Sequence, residues 1–487
     1  MFNKISPEKA GISSKAILDY VKTLESYNLK THSIIFAKGN DIFAECYYKP
    51  FNKDFKHRMY SMSKSITAIA IGLAEQEGLL SLDDKFMDYL PEYANENLND
   101  RFYEATIRDM LTMRSCMCNA AEWWGFDDRA AAYFSLDSRQ IPGTNFAYDS
   151  PGSFMLGCIV EKVTGKLFLE YLKEKIFVEN GFSEDAYCLL APGGHSHCDS
   201  GVMCTARDLL IIARLLMNKG VLNGKRYINE EFITTATSKI TPVNRINEPS
   251  PYTKYGYGYL IWKGPRDGFL FSGLGDQYVV CDPKTDVVFI INSENCNAGG
   301  ASKSIIFHEL YKIIEKIGEP LEESPEDYKE LCDYLDSREL ICLKGETKSP
   351  VLEKINGKKY VLEENVGGIE YMIFTLDEKS GVVEYKNADG INKIKFGMGY
   401  NIFDKFPGKK RMGLTASEYV DGQYDCGASA IWSDENTLSI MTQIIDTYLG
   451  TLVVKASFKD NRVSLTTRRF AQRILYNYEI RTVGYCE

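Results

Sequence analysis

The chain has 487 residues, enough for a large core and a second domain. Its 44% hydrophobic and 25% charged fractions are those of a globular protein, and its net charge of −10 argues against general nucleic-acid binding. Thirteen cysteines without framework spacing indicate reduced thiols. Neither an apolar leader nor a long uncharged run is present, so we expect a cytoplasmic protein without a membrane span.

The first predicted elements are a helix over 7–27 and a β-hairpin with strands over 33–37 and 42–47. The helix begins with Ser6-Pro7-Glu8-Lys9, which matches the pattern Ser-x-x-Lys. Pro behind a Ser cap, with Glu in the first turn, is a common helix start. This copy of the pattern therefore indicates a helix terminus and no chemistry.

A second copy, Ser61-Met62-Ser63-Lys64, precedes a run over 66–74 that is apolar nearly all round, which indicates a buried helix. Side chains three residues apart on a helix project from the same face. Burial disfavours the charged form of an amine, so Lys64 could take the proton of the Ser61 hydroxyl. The pair predicts a serine nucleophile with its own amine base.

Downstream, Tyr148 and Ser150 lie in a predicted loop that has Pro-Gly at both ends. A phenol and a hydroxyl separated by one residue could relay a proton between Lys64, Ser61 and a leaving group. The structural alternative is a tyrosine packed on its loop with its hydroxyl bonded to backbone. Trp123 and Trp124 precede this loop and could wall an acyl pocket, although an ordinary structural role fits them equally.

The following stretch contains four side chains of types that zinc favours, namely His195, His197, Cys198 and Cys204. Two histidines separated by one residue also suit the face of a strand, and the four do not have the regular spacing of a metal site. We therefore expect neither a metal nor a cofactor.

The hydrophobic pattern of the remaining chain indicates the end of a first domain, a connector and a second domain. Strands over 257–293 and a helix over 304–317 complete a first domain, 1–318, in which an antiparallel sheet built from both ends of the domain is flanked by helices and a helical subdomain. An acidic connector, 319–343, follows. Alternating short strands then predict an all-β, barrel-like domain over 344–487, with a packing, lid or oligomerisation role, so a homo-oligomer is possible. The predicted class is α+β, an α/β sandwich with this added domain.

The ordered motifs resemble the serine β-lactamase-like hydrolases of the class C type, which include esterases, D-amino-acid peptidases, oligomer amidases and penicillin-binding carboxypeptidases. The resemblance covers the first two-thirds of the chain and implies a covalent acyl-enzyme, with Ser61, Lys64, Tyr148 and Ser150 as catalytic residues. Further segments recur in the family's order: 78–84, 106–115, 200–209, 220–225 and 255–259.

The family's third motif is Lys or His, a small residue and Gly, which here corresponds to Phe271-Ser272-Gly273. Phe271 at the cationic position removes a contact to a substrate carboxylate worth about 1.5–3 kcal/mol. A neutral, partly apolar ester or amide is therefore expected over an anionic substrate. The backbone amides of Ser61 and Leu274 would form the oxyanion hole, and a glycine-rich β-turn is the structural alternative.

Two functional alternatives remain at this point. The first is a penicillin-binding protein, D-amino-acid peptidase or weak β-lactamase, and the second is a non-catalytic binding or sensing relative. In each case the expected partner is a small molecule or short peptide, and not a nucleic acid.

Overall fold

The computed structural model describes residues 2–116, 123, 126–243, 250–296, 300–411, 419–420, 422–471 and 474–487. They form two compact units, and the division between the units falls after Glu339. The first unit combines helices with an antiparallel sheet, and the second is almost entirely β-structure. The fold class predicted from the sequence is confirmed for both units.

The main sheet of the first unit brings together strands from both ends of that unit. Its order is β1-β3-β2-β12-β11-β10-β9, antiparallel except for the β1–β3 pair. Strands β4, β6 and β5 form a small separate sheet, and β7 pairs with β8. The strands are β1 (Asn3–Lys4), β2 (Thr31–Lys38), β3 (Asp41–Tyr47), β4 (His57–Arg58), β5 (Tyr187–Cys188), β6 (Val202–Cys204), β7 (Val221–Leu222), β8 (Lys225–Arg226), β9 (Trp262–Lys263), β10 (Phe269–Gly273), β11 (Gln277–Asp282) and β12 (Val287–Ser293).

Helices pack on this sheet and on one another. They are α1 (Pro7–Ala10), α2 (Ser14–Ser26), α3 (Met62–Gln76), α4 (Arg101–Glu104), α5 (Ile107–Leu111), α6 (Arg129–Tyr133), α7 (Ser150–Thr164), α8 (Phe168–Leu172), α9 (Ala206–Met217), α10 (Glu230–Ala236), α11 (Ala301–Ile314) and α12 (Pro325–Asp336). Helix α2 places Tyr20 edge-on against Phe36 and Phe289 of the sheet. Helix α3 contacts both β10 and α7. The start of α3 is thereby fixed between the sheet and the helical region.

Helix α3 is buried along almost its whole length, as its apolar sequence predicts. Every residue from Met62 to Ala74 is buried. Gly72 allows α10 to approach closely, because a Cβ there would lie 2.3 Å from the ring of Phe232. A helix enclosed in this way is a rigid support for side chains at its amino-terminal end.

The acidic segment after α11 contains α12, whose start is capped by Ser324 accepting from the Asp327 amide. Leu331 and Leu335 of this helix are buried in the core of the first unit. The division of the chain into 1–318, 319–343 and 344–487 stays a prediction.

The second unit is a closed nine-stranded barrel. Its short helix is α13 (Leu352–Ile355), and its strands are β13 (Lys359–Leu362), β14 (Tyr371–Leu376), β15 (Ser380–Asn387), β16 (Gly390–Met398), β17 (Ile402–Lys405), β18 (Lys410–Arg411), β19 (Tyr419–Val420), β20 (Asp425–Asp434), β21 (Thr437–Ile445), β22 (Leu449–Lys459), β23 (Arg462–Ala471) and β24 (Arg481–Cys486). The nine barrel strands are β13–β16 and β20–β24. A parallel pairing of Gly397 and Met398 with Ser429 and Ala430 closes the ring between β16 and β20. Closure leaves few unpaired strand edges in this unit. Among the helices of the described residues, none has the length and apolar character needed to cross a membrane.

A pair of buried histidines connects β2 with β4 in the first unit. His32 Nδ1 lies 2.9 Å from His57 Nε2, and the His32 ring stacks on Phe51. Burial, together with the neighbouring His57, holds the pKa of His32 well below its usual value. Burial also lowers the pKa of His57 to about 4.

We expect the free energy of unfolding to fall as the pH drops from 7 to 5. Both histidines have lower pKa values in the folded chain than in the unfolded chain, so the unfolded chain binds more protons across this window. For His57 alone the loss by pH 5 is about 2 kcal/mol. Urea unfolding at several pH values should show a weaker dependence in His57→Gln than in the unaltered protein. His308→Gln, which alters an exposed histidine, is the control and should leave the slope unchanged. An equal slope in His57→Gln would contradict the assignment.

Candidate active site

Ser61 and Lys64 meet at the start of α3. Lys64 Nζ donates to Ser61 Oγ across 3.1 Å, while the Lys64 side chain is only 1% exposed. Ser61 occupies the N-cap position, but its side chain makes no capping hydrogen bond. The Ser61 hydroxyl therefore lies beside an amine and is not committed to the helix terminus.

Three non-glycine residues, one directly before Ser61 and two hydrogen-bonded to α3 or to the Tyr148 loop, have left-handed backbone conformations. Tyr60, directly before Ser61, has a φ of 46°, and Met113 and Leu260 have φ values of 55° and 52°. Leu260 accepts a hydrogen bond from Ser65 of α3, and the Met113 carbonyl accepts from the Ala147 amide in the Tyr148 loop. Strained backbone of this kind is typical of functional sites, because the surrounding structure must enforce it.

Tyr148 lies beside Lys64. Lys64 Nζ is 5.1 Å from the centre of the Tyr148 ring, and that ring stacks on Trp262 with centres 6.0 Å apart. Phe146 also packs against Trp262. Trp262 was not singled out in the sequence analysis, because a strand of two residues gives no clear periodic signal.

Ser150 is the first residue of α7, and it is partly buried. The preceding Asp149 caps this helix by accepting from the Gly152 amide, and it also accepts from Ser115 Oγ at 2.6 Å. Burial raises the pKa of the Asp149 carboxyl group. Asp149 thus fixes the direction of the loop that carries Tyr148 into the site.

The third predicted motif ends β10 and lies against the segment before Ser61. A Cβ on Gly273 would be 2.4 Å from the Met59 carbonyl oxygen, so only glycine permits this approach. Within the described part of the chain, neither the Ser61 amide nor the Leu274 amide has a hydrogen-bond acceptor. Gln277 Nε2 donates to the Leu274 carbonyl oxygen at 3.0 Å, which braces the turn. The arrangement is compatible with two amides directed at one substrate oxygen.

Two of the three proposed pocket residues, Phe271 and Trp123, are not brought to an accessible surface. Phe271 and Trp123 have no exposed surface, and the Trp123 indole donates to the Arg129 carbonyl at 2.8 Å. Trp124 lies outside the described residues. Ser272, by contrast, is partly exposed, and its hydroxyl lies 2.8 Å from the Tyr252 hydroxyl. Burial therefore leaves Phe271 and Trp123 as core residues in this structure.

The segment that was weighed as a zinc site takes a different role. His195 pairs with Glu161 at 2.8 Å, and His197 lies among buried charged side chains. Cys198 and Cys204 are buried. In the described residues no group of histidines, cysteines and carboxylates is arranged to hold a metal ion.

Beneath Lys64 lies a cluster of four fully buried polar side chains, namely Arg58, Arg129, His197 and Asp199. The Asp199 carbonyl accepts from Lys64 Nζ at 2.8 Å, and its carboxylate lies 3.9 Å from the same atom. Nothing in their sequence spacing connects these residues to the site. They lie far apart along the chain, and only the folded structure brings them together.

Comparisons with known proteins show what the chain is similar to. The family model for Beta-lactamase matches residues 20–295. The 6-aminohexanoate-dimer hydrolase of Paenarthrobacter ureafaciens is 25% identical over 281 residues, which cover 53% of this chain and 71% of that protein. Penicillin-binding protein 4* of Bacillus subtilis (strain 168) is 22% identical over 344 residues, covering 58% and 74%. The crystal structure of a penicillin-binding protein homologue from Caulobacter crescentus aligns with a TM-score of 0.51 at 16% identity, over 61% of this chain and 97% of that one.

Proposed function

The chain belongs to the Beta-lactamase family, whose relatives are hydrolases, and from this premise we propose that it is a serine hydrolase cleaving esters or amides through a covalent acyl-enzyme. The single observation that carries the proposal is the hydrogen bond between Lys64 Nζ and Ser61 Oγ at a buried helix start. A hydroxyl beside a desolvated amine is one of the arrangements that activate a serine nucleophile.

The proposed reaction has two halves. In the first, Ser61 Oγ attacks the substrate carbonyl carbon while its proton passes to Lys64 and Tyr148, and the amides of Ser61 and Leu274 stabilise the oxyanion. The carbon–oxygen or carbon–nitrogen bond then breaks, and Tyr148 with Ser150 returns the proton to the leaving group. In the second half, water attacks the acyl ester, gives up a proton to the same groups and regenerates Ser61. The base is assigned to Lys64 and Tyr148 together, because the Lys64 amine lies 5.1 Å from the centre of the Tyr148 ring.

We propose a neutral, partly apolar acyl group as the substrate feature that this site favours. The aromatic side chains of Phe146, Tyr148 and Trp262 pack together beside Lys64. Phe271, at the position of the third motif where the sequence resemblance expects Lys or His, is an apolar side chain buried in the core, so it offers no charge to a substrate carboxylate. A relative that hydrolyses the 6-aminohexanoate dimer supports the inclusion of linear amides.

Intact-mass spectrometry after treatment with a fluorophosphonate tests the covalent step. One adduct per chain is expected in the unaltered protein and none in Ser61→Ala. Ser6→Ala is the matched control, because Ser6 begins the other Ser-x-x-Lys run, where its hydroxyl caps a helix and donates to Glu323. Absence of an adduct on the unaltered protein, or an adduct on Ser61→Ala, would sink the proposal.

Kinetics on the same preparation separate the substrate classes. A short p-nitrophenyl ester, a linear amide dimer and nitrocefin are compared, and steady turnover of the ester or the amide is expected to exceed that of nitrocefin. Release of one equivalent of product and no further turnover would instead indicate a slow penicillin-binding sensor. Faster hydrolysis of nitrocefin than of the other two would refute the neutral-substrate proposal.

A further inference from the structure

The buried cluster beneath Lys64 has no part in the reaction as proposed above, yet it is built around the lysine. The Asp199 carboxylate lies between Lys64 and His197, with Oδ2 3.9 Å from Lys64 Nζ and Oδ1 3.2 Å from His197 Nε2. His197 in turn lies between two arginines, 3.4 Å from Arg58 Nη2 and 3.2 Å from Arg129 Nη1. The carboxylate therefore has two direct neighbours that are or can become cationic, Lys64 and His197, and two arginines lie next to the imidazole.

Packing alone does not explain why such a cluster is buried. Each buried ion loses several kcal/mol of hydration free energy, and apolar residues of similar volume fill a core more cheaply. Burial raises the pKa of Asp199, while the charges of Lys64, Arg129 and Arg58 act in the opposite direction. The cations thus help to keep the carboxylate ionised, and the carboxylate compensates for their burial.

The backbone around Asp199 is fastened to the segment that carries the nucleophile. Arg58 Nε donates to the Ser200 carbonyl at 3.0 Å, and Thr67 of α3 donates to the Cys198 carbonyl at 3.0 Å. The Val202 amide donates to Ser63 Oγ at 3.1 Å. The Asp199 carbonyl that accepts from Lys64 is therefore held by contacts from β4 and α3.

We propose that Asp199 is a positioning residue, with Arg58, Arg129 and His197 as its support: its backbone carbonyl holds the Lys64 amine beside Ser61, and its carboxylate, an ion-pair partner 3.9 Å away, sets the pH range in which that amine works as a base. The inference rests on the proposed function of Lys64. Other charged or titratable groups that face the amine are Tyr148 and the buried Asp149, both from the segment leading into α7.

The sign of the expected effect follows from the charges. Asp199→Asn removes a negative charge next to Lys64 but leaves Arg58 and Arg129 in place, so the protonated amine becomes less favourable. The acidic limb of kcat/KM should move by about one pH unit to lower pH. Because the amine also loses one of its partners, the plateau of kcat/KM should fall roughly tenfold.

The test is the pH profile of kcat/KM from pH 5 to 10 with a short p-nitrophenyl ester. Asp199→Asn is compared with the unaltered protein and with His197→Gln, which keeps the carboxylate but removes its imidazole partner and should shift the limb less. The matched control is Asp286→Asn, which removes a carboxylate from another buried arginine, Arg214, and should leave the profile unchanged. Active protein is counted by fluorophosphonate titration, so poor folding of one variant does not enter the rate.

The outcomes are distinguishable. If the unaltered protein does not hydrolyse the ester, the proposed function fails. If the unaltered protein is active and the acidic limbs of Asp199→Asn and His197→Gln coincide with its own acidic limb, only the positioning role is overturned. If Asp199→Asn does not fold, an unmoved limb in His197→Gln overturns the role, and a shift of that limb in either direction supports it.

Discussion

Replacing Lys64 with methionine is expected to lower kcat/KM for ester hydrolysis by about 10³-fold. Methionine approximates the length and volume of the lysine stem, so the buried helix start keeps its packing, but no amine remains to take the Ser61 proton. The variant should also acylate slowly with a fluorophosphonate, since the same proton must leave Ser61 in that reaction. Steady-state kinetics with a p-nitrophenyl ester measure the effect.

The chain supplies its own control for this substitution. Lys9 occupies the same place in the Ser6–Lys9 run, where its amine pairs with Glu323 at the surface. Lys9→Met should retain the kinetics of the unaltered protein, because surface ion pairs contribute little to stability and this one is remote from the chemistry. Retention of activity within a few-fold in Lys64→Met would show that the amine is not the base.

Gly273→Ala is expected to lower kcat/KM by about 10²-fold to 10³-fold through the backbone alone. The new methyl group would meet the Met59 carbonyl oxygen, and neither segment can move without displacing the turn before Ser61 or the amide of Leu274. Loss of one aligned donor to the oxyanion accounts for an effect of that size. The rate is measured with the same ester, alongside the melting temperature.

A glycine with open surroundings provides the comparison. Gly318 has no heavy atom within 4 Å of an added Cβ and is not in the left-handed region, so Gly318→Ala should change neither rate nor melting temperature appreciably. A Gly273→Ala protein with a lowered melting temperature but unchanged kcat/KM would mean that this glycine serves packing only. The oxyanion assignment for Leu274 would then be wrong.

The parts of the molecule that could be predicted from the sequence are those that depend on local spacing. Ser61 and Lys64 are three residues apart on one helix, so their meeting follows from helix geometry. The alternating strands of the second unit are readable for the same reason, because the period of two is a local property. The proline after Ser6 distinguishes this run, a capped helix start, from the second Ser-x-x-Lys run.

The parts that could not be predicted depend on tertiary contacts. Arg58, Arg129 and Asp199 come from three distant segments, and no periodicity connects them. The paired tryptophans gave no indication of which side faces the core, and Trp123 is fully buried with its indole nitrogen bonded to backbone. Trp262, which stacks on Tyr148, lies on a strand too short to recognise from its pattern.

The left-handed conformations of Tyr60, Met113 and Leu260 make stability and turnover opposing targets for engineering. Each such residue costs about 1–3 kcal/mol of folding free energy, which glycine at the same position would not pay. A screen that selects only for heat resistance would be drawn to these positions. The variants it recovers would let the backbone beside Ser61, at the Tyr148 loop and beside Ser65 relax. A search for a more durable catalyst should therefore hold all three positions fixed and draw its stabilising changes from the rest of the chain.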